Sequence, residues 1–229
     1  MLVDALAITL GLLPGFAWLI FYLTEDPHPE PKRLVLFTFV AGIAFGFFAI
    51  IAEQFWSSLG EGIGFAEFSI LSLIGLAVIE ELTKFAAAYF SISRTPEIQD
   101  PIDPMIYMIV AALGFATLEN IGTLLNLPNG NLWNGAFQAV SLRFVGATLL
   151  HTLTSGIIGY HWSLGIAKRR PAHFLASGFI FAIIVHVAFN YFIINFANVG
   201  YAILLLLVVG FFVLNDFEEL RAKEEHTRP

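Results

Sequence analysis

The chain has 229 residues, 58% hydrophobic and 13% charged, with a mean hydropathy of +0.79 and a net charge of −7. Soluble domains carry about a quarter charged residues, so this composition belongs to an integral membrane protein. A pI near 5.3 without a basic stripe offers nucleic acid nothing to bind. The absence of cysteine removes disulfides, thiolate metal sites and a cysteine nucleophile together.

Apolar runs long enough to cross a hydrocarbon core fall at about 6–23, 34–52, 68–90, 105–125, 143–166, 173–194 and 199–214. The pattern predicts an all-α, polytopic membrane bundle of about seven transmembrane helices. Residues 1–229 form a single domain, with 215–229 as a charged cytoplasmic tail. Asp4 precedes the first run and no early Lys or Arg does, so the run lacks the basic region of a cleaved signal and reads as a retained span. Gly11/Gly15 and Gly42/Gly46 have the spacing that lets helices approach closely, and Pro14 is placed to kink the first span. The connection near Asn195 to Asn198 is the shortest signal of the set.

Basic residues give the orientation. Lys32, Arg33, Arg94, Lys168, Arg169, Arg170, Arg221, Lys223 and Arg228 fall in the first, third and fifth connections or the tail. The second, fourth and sixth connections contain none, which predicts an outside N-terminus and a cytoplasmic C-terminus. Only Lys84 and Arg143 lie within a span or at its end.

Polar residues that lipid would not tolerate mark four spans. The third carries Glu80, Glu81 and Lys84, each costing roughly 2.5–3.5 kcal/mol on insertion scales. Spacings of four and three residues let both carboxylates reach the one ammonium on a shared helix face. The fourth span carries Glu119 and Asn120 with Phe115 a turn earlier. The fifth has His151 and Ser155, and the sixth His186 and Asn190, each pair one turn apart. At 1.5 Å per residue, Glu80 lies roughly 18 Å and His151 about 12 Å from the outer helix ends, with Glu119 and His186 at roughly 9–12 Å. All four therefore fall from the midplane to the outer half of the bilayer, and a compensated cluster facing a bundle interior accounts for them.

The chemistry of this set is water activation. A buried carboxylate can serve as general base on water. Two imidazoles can hold a metal or donate to a developing oxyanion, and Asn190 adds a neutral donor. The natural substrate of such a hydrolase is a bond in another membrane-embedded chain. There is no HExxH helix, no Asp inside a span for an aspartyl pair, and no Gly two before Ser155 as an intramembrane serine protease requires. The same buried set would also serve a proton-coupled transporter, and a catalytically silent scaffold is the third reading.

Glu80-Glu81-Leu82-Thr83-Lys84 resembles the EExxK motif of the PrsW family of membrane proteases, and Phe115 to Asn120 resembles its FxxxEN motif. His151, and His186 with Asn190 as HxxxN, resemble its later histidine positions. The entry segment, Trp18 to Tyr22 and Asp26 to Lys32, is similar as well. The resemblance implies an intramembrane endopeptidase, related to CAAX prenyl proteases and bacteriocin-immunity membrane proteins, that cuts a membrane-bound protein such as an anti-sigma factor. It implies Glu80 or Glu81 as the water-activating group, Glu119 assisting, His151 and His186 orienting water or binding metal, and Asn190 polarising the scissile carbonyl. Lys84, Phe115, Asn120 and Ser155 are supporting residues. A metal, if used, is zinc on His151, His186 and Glu119; the surplus of carboxylates and the charge of Lys84 favour water held by protein groups alone. The expected partners are the bilayer and a membrane-embedded protein substrate, with no nucleic acid, and nothing in the sequence sets an oligomeric state.

Overall fold

The computed structural model describes residues 2–25, 30–93, 95, 100–126, 143–144, 146–196 and 198–227. Among them are seven α-helices and no strand: α1 (Leu2–Glu25), α2 (Lys32–Gly62), α3 (Ile70–Ile92), α4 (Asp103–Leu125), α5 (Ala147–Ala167), α6 (Pro171–Asn195) and α7 (Gly200–Thr227). The family-like segment 26–29, Arg94, Arg228 and most of the fourth connection lie outside the described residues. By length and composition, α1, α2, α4, α6 and α7 are each apolar enough to cross a membrane. Helices α3 and α5 have 23 and 21 residues, and at 1.5 Å per residue they reach the same ~30 Å thickness. They stand apart because α3 carries the three ionisable residues Glu80, Glu81 and Lys84, and α5 is rich in Thr, Ser, Gly and His.

The bundle is built around α4. Its residues Met105 to Leu113 are almost wholly buried, and it packs against α1, α2, α3 and α5. One face, with Met105, Ile106, Ile109 and Leu113, joins the core shared with α1, α5 and α7. The other, with Tyr107, Met108 and Ala111, joins Ala87, Ala88 and Trp162. A helix apolar all round belongs in such a central place.

Glycines set how closely neighbours approach it. A Cβ on Gly42 of α2 would collide with the Ala111 carbonyl, and one on Gly114 of α4 with the Phe39 carbonyl. Gly11 and Gly15 bring α1 against Ile121 and Thr117 in the same way. Without a hydrophobic drive between helices in lipid, this backbone contact is what holds α2 on α4. Gly114→Val is therefore expected to cost about 1–3 kcal/mol by overpacking, measured as a lowered thermal midpoint in detergent.

Several helices differ in extent from the expected spans. The second was expected to end near residue 52 but continues to Gly62. Trp56 explains the extension, since its ring covers Gly75 and its Nε1 donates to the Ser72 carbonyl at 3.2 Å, tying the added turns to α3. The fifth begins at Ala147 rather than 143, because Gly146 breaks the helical backbone at φ −101°, ψ −93°. His151 thus has about 6 Å of helix before it, half the expected depth. The last helix runs unbroken from the apolar segment into the charged tail.

A tight turn joins α5 to α6. Arg170 N donates to Gly165 O at 2.9 Å and Arg169 N to Ile166 O at 3.1 Å, with Arg169 at φ 54°. This is a Schellman closure with arginine where glycine is usual. His151 and His186 are nearly equidistant from that turn, so the antiparallel hairpin brings them to one level. Their ring centroids are 5.5 Å apart.

Candidate active site

Helix α3 provides the centre. Ser69 caps it, accepting from Ser72 N at 3.3 Å, and Glu80, Glu81 and Lys84 then fall on its buried side. Glu81 and Lys84 are fully buried, and Lys84 Nζ donates to Glu81 Oε1 at 2.7 Å. The same ammonium stands 3.1 Å from His151 Nδ1 and 5.4 Å from the centre of the Phe115 ring. The expectation that both carboxylates share this cation is met by Glu81 alone. The cation's remaining reach goes across to α5, and Glu80 Oε2 is buried without a hydrogen bond.

Each imidazole has its own carboxylate. His186 Nδ1 lies 2.7 Å from Glu81 Oε1, and His151 Nε2 lies 2.8 Å from Glu119 Oε2. Lysine can only donate, so His151 Nδ1 is the acceptor of Lys84 and its Nε2–H donates to Glu119. His186 Nδ1–H likewise donates to Glu81, which turns its Nε2 towards Glu80. A carboxylate behind each histidine fixes ring and tautomer.

Glu80 Oε2 sits between the two rings, 3.7 Å from His151 Nδ1 and 3.6 Å from His186 Nε2. The ligand atoms of Glu80, His151 and His186 lie within 4.8 Å of one another. It is therefore Glu80, rather than Glu119, that groups with both imidazoles, while Glu119 stands on the far side of His151. A buried carboxylate oxygen with no hydrogen bond, flanked by two imidazoles, is a fitting donor set for a divalent metal and equally a cradle for one water.

The other expected residues divide. Phe115 packs edge-on against His151 with centroids 5.5 Å apart. Asn120 is buried and donates to Thr148 Oγ1 at 3.1 Å. Ser155 is fully buried one turn beyond His151, its hydroxyl without a partner. Asn190 is half-buried on the helix of His186, and its amide makes no hydrogen bond among the described residues.

Two residues outside the expected set join the site. Arg143 donates from Nη2 to Glu119 Oε2 at 3.0 Å and from Nε to Asn120 Oδ1. Its sequence signal was its isolation, as a basic residue at a span end where orientation called for none. Glu53, half-buried on the extension of α2, lies within electrostatic reach of Glu80, Glu119 and Lys84. The apolar run ends one residue before it, so hydropathy alone gives it no place in a span. The side chains of Glu119 and Arg143 are 28% and 21% exposed, so the cluster opens to its surroundings on their side.

The model of the family described as "PrsW family intramembrane metalloprotease" matches residues 30–215. Curated relatives carry the name "Protease PrsW". That of Geobacillus kaustophilus is 29% identical over 198 residues, covering 85% of this chain and 82% of its own. That of Oceanobacillus iheyensis is 27% identical, covering 82% and 83%. That of Bacillus subtilis is 26% identical, covering 88% of each. No solved structure matches the chain.

Proposed function

Because the chain belongs to the PrsW family of intramembrane metalloproteases, we propose that it hydrolyses a peptide bond of a membrane-bound protein at the Glu80/His151/His186 cluster. An anti-sigma factor is the substrate class we favour. The whole of 1–229 acts as one domain with its N-terminus outside, and the motif order supports a place in the wider CAAX protease superfamily. The observation that carries the reading is Glu80 Oε2, buried without a hydrogen bond between two imidazoles that are each backed by a carboxylate.

The residues take the following parts. Glu80 and the two imidazoles hold the attacking water, with Glu81 and Glu119 keeping the rings oriented. The water oxygen bonds to the scissile carbonyl carbon, the C–N bond breaks, and the proton taken from water passes to the departing amine. The unengaged amide of Asn190, one turn from His186, donates to the carbonyl oxygen as it gains charge. Lys84 compensates Glu81, and Arg143 compensates Glu119, which lowers the cost of four carboxylates in a membrane. The donor set fits a metal: Glu80 Oε2, His186 Nε2 and His151 Nδ1 would hold it once Lys84 withdraws from that last nitrogen. Bound there, a divalent ion would act as a Lewis acid and make water a better nucleophile.

A proton-coupled transporter needs a polar path on both sides of the cluster, whereas family membership points to proteolysis. The test is cleavage of a tagged single-pass reporter by purified protein in liposomes. Cleavage is expected without substrate-dependent proton flux; flux without cleavage would reverse the assignment, and neither activity alongside a stably co-purifying partner would favour a scaffold. Metal content is read separately. The wild-type protein is expected to hold about one divalent ion per chain, and His186→Ala to lose it together with one of three ligands. Active wild-type protein free of metal and resistant to chelators would assign the water to protein groups alone.

A further inference from the structure

We propose that Arg143 is a positioning residue for cleavage, acting through Glu119 on the orientation of His151; the inference rests on the peptidase reading above. Arg143 stands in the connection between α4 and α5, outside every recognised motif, yet it holds both members of the Glu119-Asn120 pair. Nη2 donates to Glu119 Oε2 at 3.0 Å and Nε to Asn120 Oδ1. A guanidinium presents these donors in a rigid plane, so binding one acceptor sets the position of the other.

The backbone that carries Arg143 is itself anchored. Phe144 stacks on Trp18 of α1 with ring centroids 5.3 Å apart, and Trp18 Nε1 donates to the Phe144 carbonyl at 3.0 Å. Asn120 is fixed from the other side by Thr148 at the start of α5. The guanidinium is thus braced by α1, α4 and α5 together.

What the brace secures is Glu119. One oxygen, Oε2, accepts from both Arg143 and His151 Nε2, the latter at 2.8 Å. With its side chain 28% exposed, Glu119 has room to swing outward. If it swings, His151 loses the acceptor that fixes its Nε2–H. The ring can then turn, and Nδ1 leaves its place 3.7 Å from Glu80 Oε2. Arg143 touches neither the Glu80 oxygen nor His186, so its influence on chemistry passes through the Glu119–His151 bond. A lysine ammonium presents its donors from a single point rather than from a rigid plane, so it would hold the two acceptors less firmly in register, and glutamine could offer no charge.

The test uses the full-length protein in liposomes with the tagged reporter. Arg143→Gln is expected to lower kcat by about 10–100-fold, the usual effect of losing an outer-shell partner, with KM little changed. Arg143→Lys should fall between the two. Guanidinium ion added to Arg143→Ala should restore part of kcat, which a purely structural defect would not allow. Combining Arg143→Gln with Glu119→Gln should cost no more than Glu119→Gln alone, because both act on one bond. Arg143→Gln at wild-type kcat, or losses that multiply in the double variant, would overturn the proposal. If Arg143→Gln proves unstable, the folded Arg143→Lys variant decides: wild-type kcat there refutes the two-acceptor clamp. Glu80→Gln in the same assay separates the two readings. An inactive Glu80→Gln beside a fully active Arg143→Gln rejects only the role of Arg143, whereas full activity in both rejects the site.

Discussion

Glu80→Gln is expected to abolish cleavage while the protein still folds and inserts. The exchange is nearly isosteric, and Glu80 Oε2 has no hydrogen bond to lose, so the amide strands no partner. It removes the one carboxylate oxygen that faces both His151 Nδ1 and His186 Nε2. Loss of a positioned proton acceptor typically costs about 10²–10⁴ in rate, which would leave reporter cleavage at background. The detergent thermal midpoint should stay near that of the wild type. Glu81→Gln makes an informative contrast, since Glu81 Oε1 is held by Lys84 and His186 at 2.7 Å each. That variant should lose activity and stability together. Cleavage by Glu80→Gln within a few-fold of wild type would remove Glu80 from the reaction.

Lys84→Met should be the most damaging single change for stability. The ammonium is fully buried, pairs with Glu81 at 2.7 Å and donates to His151 at 3.1 Å. Removing it leaves Glu81 charged in a bundle core with only His186 beside it. Breaking a buried pair from one side costs about 3–5 kcal/mol, enough to cut expression and lower the thermal midpoint sharply. Methionine keeps the packing against Phe115, so the loss reports charge rather than volume. Lys84→Met combined with Glu81→Gln should recover much of the stability, because Glu81 no longer leaves a charge without its partner, yet stay inactive for want of the carboxylate that orients His186. A stable Lys84→Met protein would show that Glu81 is compensated by another group.

Much of this was legible along the chain because it is a local property of helices. Composition fixed the solvent, apolar runs the helices, and one-turn spacing predicted that Lys84 would meet a carboxylate of its own helix. The glycine pairs at 11/15 and 42/46 foretold where α1 and α2 press on a neighbour, although the neighbour, α4, had to be seen. The placement of His151 and His186 about the α5–α6 turn was also available, since an antiparallel hairpin aligns residues equidistant from its bend.

Only the tertiary structure separated Glu80 from Glu81. Adjacent residues differ by about 100° around a helix axis, so one carboxylate turned to Lys84 and His186 while the other was left facing two imidazoles. Which of them did so depended on how α3 is rotated against α5 and α6, and that rotation is set by packing between helices far apart in sequence. The same reason hid Arg143 and Glu53, whose partners lie on other elements. Periodicity within one helix determines which side chains share a face, whereas the partners that face meets are decided by how closely the neighbouring backbones can approach.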